Sequence, residues 1–99
     1  MVPTEGDAAA IERATDLFRA LSNPVRLQIV QQLATGQQAV HELVAALDVA
    51  QPRISEHLAI LRAARLVARE RQGRTVTYRL VDDHVAHIVA DAVIHAAEV

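Results

Sequence analysis

The fold is decided by residues 39–64, which read AVHELVAALDVAQPRISEHLAILRAA. Residues 39–47 and 52–64 are both helical in pattern, and Asp48 to Gln51 form a tight turn between them. Pro52 suits the first position of the second helix, where its missing N–H costs nothing. Two short helices joined by a tight turn predict a helix-turn-helix unit.

The second of these helices has two distinct faces. Ile54, Leu58 and Leu61 recur at helical spacing and predict the face that packs on the core. Five other side chains point elsewhere on the helix and leave a surface free to meet a partner. They are Gln51, Arg53, Glu56, Ala59 and Arg62.

The segments around this unit complete the fold. A helix is predicted over 8–21, and Asn23 is a candidate cap for the next helix, with Pro24 at its first position. After the helix-turn-helix, residues 66–71 and 75–80 are β-type runs joined by Gln72-Gly73-Arg74, and a last helix starts at Asp82 or Asp83. The order is four helices, a hairpin and a helix. This predicts a mainly α fold with a β-hairpin wing, a winged helix-turn-helix.

The composition limits the classes of protein that the sequence allows. A chain of 99 residues suits one small domain, predicted over 8–99 after a disordered tail over 1–7. The chain has no cysteine, which excludes disulfides and thiolate metal sites. No stretch approaches the roughly 20 apolar residues that a membrane span requires. The start of the chain also lacks a basic region followed by an apolar run. We therefore expect a cytoplasmic protein with no membrane partner.

The net charge of −2 conceals a strong asymmetry along the chain. Residues 51–80 carry seven Arg and two acids, a net of +5, and the remainder carries a net of −7. A basic segment that contains a helix-turn-helix and an Arg-rich hairpin points to double-stranded DNA. The second helix would enter the major groove and the hairpin would contact phosphate or the minor groove. The predicted contact residues are Gln51, Arg53, Ser55, Glu56, His57, Arg71 and Arg74.

Some of these residues have a second interpretation. Ser55 would equally serve as a local cap or packing residue, and His57 as a half-buried residue that orients the helix. Arg62 and Arg65 are interpreted as plain surface charge, and Tyr78 as a core residue rather than a stacking platform.

The last helix carries metal-ligand residue types at its two ends. Asp82 and His84 stand at its start, and His95 and Glu98 at its end. His84 and His95 are 11 residues apart, about 16 Å along a helix, whereas one ion holds its ligands at about 2 Å. Two antiparallel copies would bring the ends together and form the site twice. The pattern predicts a homodimer with a metal site across its interface.

The ligand types narrow the choice of metal. Two imidazoles and two carboxylates in a closed four-ligand site favour Zn(II), with Co(II) as its usual mimic. Ni(II) would prefer more ligands. His87 and Asp91 lie near the same stripe and are interpreted as groups behind the ligands or at the dimer interface, and whether they also extend the coordination is left open.

In this order the motifs resemble the ArsR/SmtB family of dimeric winged-helix metal sensors. The residues that carry the resemblance are Leu21-Ser22-Asn23-Pro24-Val25-Arg26-Leu27, Val40-His41-Glu42-Leu43, Gln51 to Leu58 with Leu61, Leu66-Val67, Arg71-Gln72-Gly73-Arg74 and Tyr78. The resemblance spans about residues 12–99. It implies a homodimer formed through the first and last helices.

Members of the family differ in where they bind their effector. One subgroup uses a Cys-x-Cys pair where this chain has Ala39-Val40-His41, so that site is absent, and His41 is interpreted as a surface residue. The zinc sensors use the last helix, in a pattern that Asp82, His84, His95 and Glu98 match. The resemblance therefore implies a repressor that leaves operator DNA when Zn(II) binds, with no small organic substrate.

Two other functions remain to be weighed. The chain is compatible with a winged-helix DNA-binding regulator that responds to Co(II) or Ni(II), or to no metal at all. A zinc hydrolase fits poorly, because the chain has no His-Glu-x-x-His motif and four ligands leave no open position for water. We do not expect an enzyme.

Overall fold

The computed structural model describes residues 7–99 and confirms the predicted winged helix-turn-helix architecture. Among these residues, one small strand precedes the helix-turn-helix and was not predicted. The elements are α1 (Ala8–Leu21), α2 (Pro24–Leu33), β1 (Gln38–Ala39), α3 (Val40–Leu47), α4 (Gln51–Ala63), β2 (Val67–Gln72), β3 (Thr75–Leu80) and α5 (Asp83–Ala97). Of the predicted tail over 1–7, only Asp7 lies within the described residues, and its carboxylate caps α1 by accepting from the N–H of Ala10.

The starts of the helices follow local signals in the sequence. Asn23 caps α2 as predicted, because its side-chain oxygen accepts from the N–H groups of Val25 and Arg26 at 2.9 and 3.2 Å. Asp82 caps α5 through a 3.2 Å bond from the N–H of Val85. The prediction for α4 was off by one residue, since the helix begins at Gln51 and Pro52 takes its second position.

A three-stranded antiparallel sheet forms the wing, in the order β1-β3-β2. Gln72 pairs with Thr75, so the turn has two residues rather than the predicted three. Gly73 has a φ of 63°, which glycine adopts without the steric penalty that other residues meet. Ala39 was predicted as the start of a helix, but it pairs with Thr77 and extends the sheet.

The core lies between the helices and the inner side of the sheet. The predicted stripe of α4 is fully buried, with Ile54, Leu58 and Leu61 at most 1% exposed. Tyr78 is buried, as predicted. Over residues 7–99, none of the helices combines the length and the apolar character that crossing a bilayer requires.

Candidate nucleic-acid interface and metal centre

The outward face of α4 is polar and accessible over its first two turns. Gln51, Arg53, Ser55 and Glu56 are all exposed and lie outside the buried stripe. Burying the apolar stripe fixes the rotation of the helix about its axis, so these side chains must project outward. Their accessibility meets the geometric requirement for contact with base edges or phosphates.

His57 differs from the other predicted contact residues because it is half-buried. Its Nδ1 atom lies 3.1 Å from an Nη1 atom of Arg26, which is in α2. Burial lowers the pKa of His57, and the positive charges of Arg26 and Arg53 lower it further, whereas Glu56 acts in the opposite direction. These contacts agree with the second interpretation of His57, a residue that orients the helix.

The turn of the wing places Arg74 beside the start of α4. Arg74 is exposed at the turn, and Gln51, Arg74 and Thr75 line one open notch. Arg71 is exposed as well, and its Nε donates to the carbonyl of Gly73 at 3.0 Å across the turn. The notch therefore joins Gln51 of α4 and Arg74 of the wing on one surface of the molecule.

The four predicted metal ligands all lie exposed on or next to α5. His84 and His95 share one stripe of the helix, since 11 residues complete about three turns. Glu98 caps the end of α5, and Asp82 caps its start with one oxygen. Within residues 7–99, no three His, Cys, Asp or Glu side chains come close enough together to hold a metal ion. The described part of one copy therefore does not assemble a metal site by itself.

The chemistry of these donors nevertheless fits a zinc ion. Two imidazoles and two carboxylates are ligands that Zn(II) accepts in four-coordinate sites. Within residues 7–99, neither imidazole ring of His84 and His95 makes a hydrogen bond, and both residues are exposed, so both rings are accessible to an ion. His87 and Asp91 are exposed on the same side of the helix, between the two ends.

Large apolar side chains are exposed on the first and last helices. Ile11 and Phe18 of α1 are 58% and 59% exposed, and they lie seven residues apart, on one face. Val93 and Ile94 of α5 are 38% and 57% exposed. Phe18 also lines an apolar groove with Ile88 and Ala92, which connects the two helices. An exposed apolar surface of this kind is typical of an association site.

Sequence reasoning missed Arg26 as a residue that supports the interface. Arg26 forms part of the Leu21–Leu27 motif, but no local pattern relates it to His57, which lies 31 positions further along the chain. The one hint in the sequence was a single arginine within an otherwise apolar and amide-rich helix, PVRLQIVQQL.

Comparison with known proteins relates the chain to bacterial regulators. The profile of the family described as "Bacterial regulatory protein, arsR family" matches residues 23–69. The HTH-type transcriptional repressor SmtB of Mycobacterium tuberculosis is 58% identical over 88 residues, which are 89% of this chain and 65% of that protein. The HTH-type transcriptional regulator NmtR of the same species is 36% identical, over 91% of this chain and 75% of that protein. The chain thus spans just under two thirds of the length of SmtB.

A solved structure shows the same fold. The homodimeric winged helix-turn-helix DNA-binding domain of Mb0332 from Mycobacterium bovis, described as a possible ArsR-family transcriptional regulator, superposes with a TM-score of 0.82. It is 30% identical, and the match covers 99% of this chain and 91% of that domain. The fold, the matched motifs and these relatives together show that the chain belongs to the arsR family of bacterial regulatory proteins.

Proposed function

We propose that the chain is a metal-responsive transcriptional repressor that binds operator DNA as a homodimer and leaves it when Zn(II) binds across two α5 helices. The observation that carries the proposal is the placement of His84 and His95 at opposite ends of one exposed stripe. The two ends offer donors that suit one ion, yet a single copy holds them too far apart.

The DNA-binding half of the proposal rests on the shared face of α4 and the wing. In a winged helix-turn-helix, the second helix enters the major groove with its N-terminal residues nearest the bases. Arg53 has the geometry to read guanine and Gln51 to read adenine. Arg71 and Arg74 neutralise phosphate from the wing, and this contact sets the position of the protein on the duplex.

The homodimer is supported by the exposed apolar surface of α1 and α5. Covering Ile11, Phe18 and Ile94 with a second copy removes apolar area from water, at about 25 cal/mol for each Å². A two-fold axis makes the same patch serve on both partners. A two-fold axis perpendicular to α5 also places the two α5 helices antiparallel, which is the arrangement that the metal site requires.

In this dimer each zinc site takes Asp82 and His84 from one copy and His95 and Glu98 from the other. Zn(II) supplies a strong positive charge that fixes the distance between the two helices. Because α5 follows directly after the wing strand β3, a change in the packing of the α5 pair also changes the spacing of the two α4 helices. Recognition helices must lie about 34–36 Å apart to enter successive grooves. A dimer locked at another spacing loses affinity for its operator.

For zinc binding to affect the DNA-binding half, the metal ligands must also be in contact with other residues of the chain. A metal-bound imidazole donates its other ring N–H to a carbonyl or carboxylate, and such partners orient the ligand. His95 is the ligand proposed to make that contact. Linkage makes the effect reciprocal, so that if zinc weakens DNA binding, DNA weakens zinc binding by the same factor.

The test is a fluorescence-anisotropy titration of the full chain on the DNA upstream of its own gene, first with chelator and then with Zn(II). We expect tight binding with chelator and release by zinc. His84→Ala and His95→Ala should bind DNA with chelator as the wild type does, and should stay bound when zinc is added. Operator affinity that zinc leaves unchanged in the wild type would contradict the sensor half of the proposal.

A different metal is the second candidate, and the position of His87 and Asp91 favours it. Both are exposed between the two ends of α5, so they would raise the number of available ligands above four. Six ligands suit Ni(II) or octahedral Co(II) rather than Zn(II). The visible spectrum of the Co(II) complex distinguishes the two cases, because tetrahedral Co(II) absorbs far more strongly than octahedral Co(II). A rise in intensity in His87→Ala, as the coordination number falls, would place that residue among the ligands, whereas an unchanged spectrum would exclude it.

A further inference from the structure

Arg26 lies between three helices and holds them through its guanidinium group. Its Nε donates to the backbone carbonyl of Ala20 in the last turn of α1. Its Nη1 lies 3.1 Å from Nδ1 of His57 in α4. Its own backbone N–H is held by the side chain of Asn23 at 3.2 Å. Arg26 therefore joins the end of α1 and the start of α2 to the recognition helix.

The carbonyl of Ala20 depends on this arginine for a donor. In a continuing helix it would accept from the N–H four residues on, but that residue is Pro24, which has no N–H. Ala20 is only 6% exposed, so water has little access to this carbonyl. The break between α1 and α2 thus creates an acceptor, and the side chain of Arg26 satisfies it.

The chemistry of arginine fixes the protonation state of His57. Arginine has only donors, so the contact is a hydrogen bond only if Nδ1 of His57 presents its lone pair. The neutral ring then carries its proton on Nε2. A protonated ring would place an N–H and a positive charge against the guanidinium group, so the contact would become repulsive.

The charged groups around the ring agree with a neutral state. Arg26 of α2 and Arg53 of α4 both disfavour the imidazolium, and Glu56 of α4 favours it weakly. On α1, Asp16 and Arg19 pair with each other at 3.2 Å. On the other packed elements, Glu42 of α3 caps its own helix, and Arg69 and Glu70 of β2 are exposed.

We propose that Arg26 is a positioning residue for DNA binding, which fixes the recognition helix through His57 only while that imidazole is neutral. Protonation of His57 releases α4 from α2 and lowers the affinity for DNA. This inference rests on the proposed function. The expected effect of acid on DNA affinity is opposite to the usual one, since added positive charge on a DNA-binding face generally strengthens binding.

The decisive experiment compares DNA affinity at pH 7.5 and 5.5, with chelator, in the wild type and three variants. His57→Asn keeps an acceptor near the position of Nδ1 but does not titrate, Arg26→Met keeps the stem and loses the donors, and His41→Asn removes an exposed histidine of α3. We expect the wild type and His41→Asn to lose affinity at pH 5.5, by clearly less than about tenfold, because the pKa of His57 lies below 6.5 and only part of the protein is protonated at that pH. His57→Asn should lose much less.

Arg26→Met should bind about tenfold more weakly than the wild type already at pH 7.5, and acid should weaken it little further. The same acid response in His57→Asn and in the wild type would overturn the inference, as would wild-type affinity and pH response in Arg26→Met. A merely structural role would lower the affinity at both pH values and leave the acid response in place.

A second measurement keeps the inference testable if DNA binding itself fails. ¹⁵N-NMR of the histidine rings should show His57 as the Nε2–H tautomer, and its pKa should rise in Arg26→Met. An Nδ1–H tautomer, or an unchanged pKa, would rule out the contact. If the wild type binds no operator DNA at any pH while the NMR result holds, the proposed function fails and the contact between Arg26 and His57 stands alone.

Discussion

His84 and His95 lie on the same exposed stripe of α5 but 11 residues apart, so one metal ion cannot contact both within one chain. The proposed zinc site therefore needs ligands from two copies of the protein, unlike a site within one chain. Each ion would need the start of one helix and the end of another. The two ends of α5 are therefore genetically separable.

Mixing two inactive variants should restore zinc binding. Homodimers of His84→Ala lack a ligand in both sites, and so do homodimers of His95→Ala. In a mixed dimer one site loses both histidines, while the other keeps all four ligands. We expect each variant alone to bind zinc at least about 10- to 100-fold more weakly than the wild type. After subunit exchange, the mixture should regain about one tight site in each mixed dimer, as competition against a colorimetric chelator would measure.

The matched control combines two variants at the same end of the helix. A mixture of His84→Ala and Asp82→Ala leaves one ligand missing in every site of every dimer, so no tight binding should return. Recovery in this control, or no recovery with His95→Ala, would contradict a site shared between antiparallel helices.

Arg53 and Arg74 should differ in what they contribute to DNA binding. Arg53 is placed to contact a base edge, so Arg53→Ala should cost about 1–3 kcal/mol on the operator and relax the preference at one base pair. Arg74 is placed at the wing, so Arg74→Ala should weaken binding to all sequences alike and reduce the salt slope by about one. Anisotropy titrations between 50 and 200 mM salt, on operator and scrambled duplexes, separate the two effects.

The control for this pair is Arg62→Ala, near the end of α4 and exposed. It should change neither specificity nor salt slope appreciably. Equal losses for Arg53→Ala on operator and scrambled DNA would show that Arg53 contacts phosphate and reads no base.

Most of the fold could be predicted because its signals are local. Asn23 followed by Pro24 is a helix start in itself, and the structure shows both hydrogen bonds of the Asn23 cap in place. The spacing of Ile54, Leu58 and Leu61 determines which face of α4 is buried, and therefore which face is free. The glycine at position 73 marks the turn of the wing for a similar reason, since it tolerates a positive φ.

The features that were not predicted depend on contacts distant in sequence. β1 has two residues and exists because Gln38 and Ala39 pair with β3, some 40 positions away. No local periodicity in the sequence predicts such a strand. The contact of Arg26 with His57 joins residues 31 positions apart and needs the packing of α2 against α4. The candidate DNA face was predictable from charge and motif, whereas the contact that supports it was not.

Leu61 and Ile60 are neighbours in α4 with opposite surroundings. Leu61 is 0% exposed and Ile60 is 44% exposed. Leu61→Ala leaves a cavity in the core, so we expect it to lower the free energy of unfolding by about 2–5 kcal/mol. Ile60→Ala removes a largely solvated side chain and should cost about 1 kcal/mol or less. Urea unfolding measures both, at one protein concentration, because a dimer's stability depends on concentration. Similar costs for the two would mean that Leu61 does not pack as the structure has it.

The free energy of unfolding should depend on pH through His57. Burial, together with Arg26 and Arg53, lowers the pKa of His57 in the folded chain below its ordinary value of 6.5. As the pH falls below about 6.5, the unfolded chain takes up a proton that the folded chain does not. Stability contributed by the neutral ring is therefore complete above pH 6.5, falls as the pH decreases, and levels off below the folded pKa.

Urea unfolding with chelator at pH 7.5, 6.5, 6.0 and 5.5 tests this dependence. His57→Asn, which cannot take up a proton, should lose less stability over this range than the wild type, because one titrating group is removed from the balance. His41→Asn is the matched control and should keep the wild-type dependence. If the three proteins lose the same stability between pH 7.5 and 5.5, the pKa of His57 is not lowered by folding. The guanidinium of Arg26 would then not meet an unprotonated Nδ1, and the link between α2 and the recognition helix would have to be assigned to apolar packing alone.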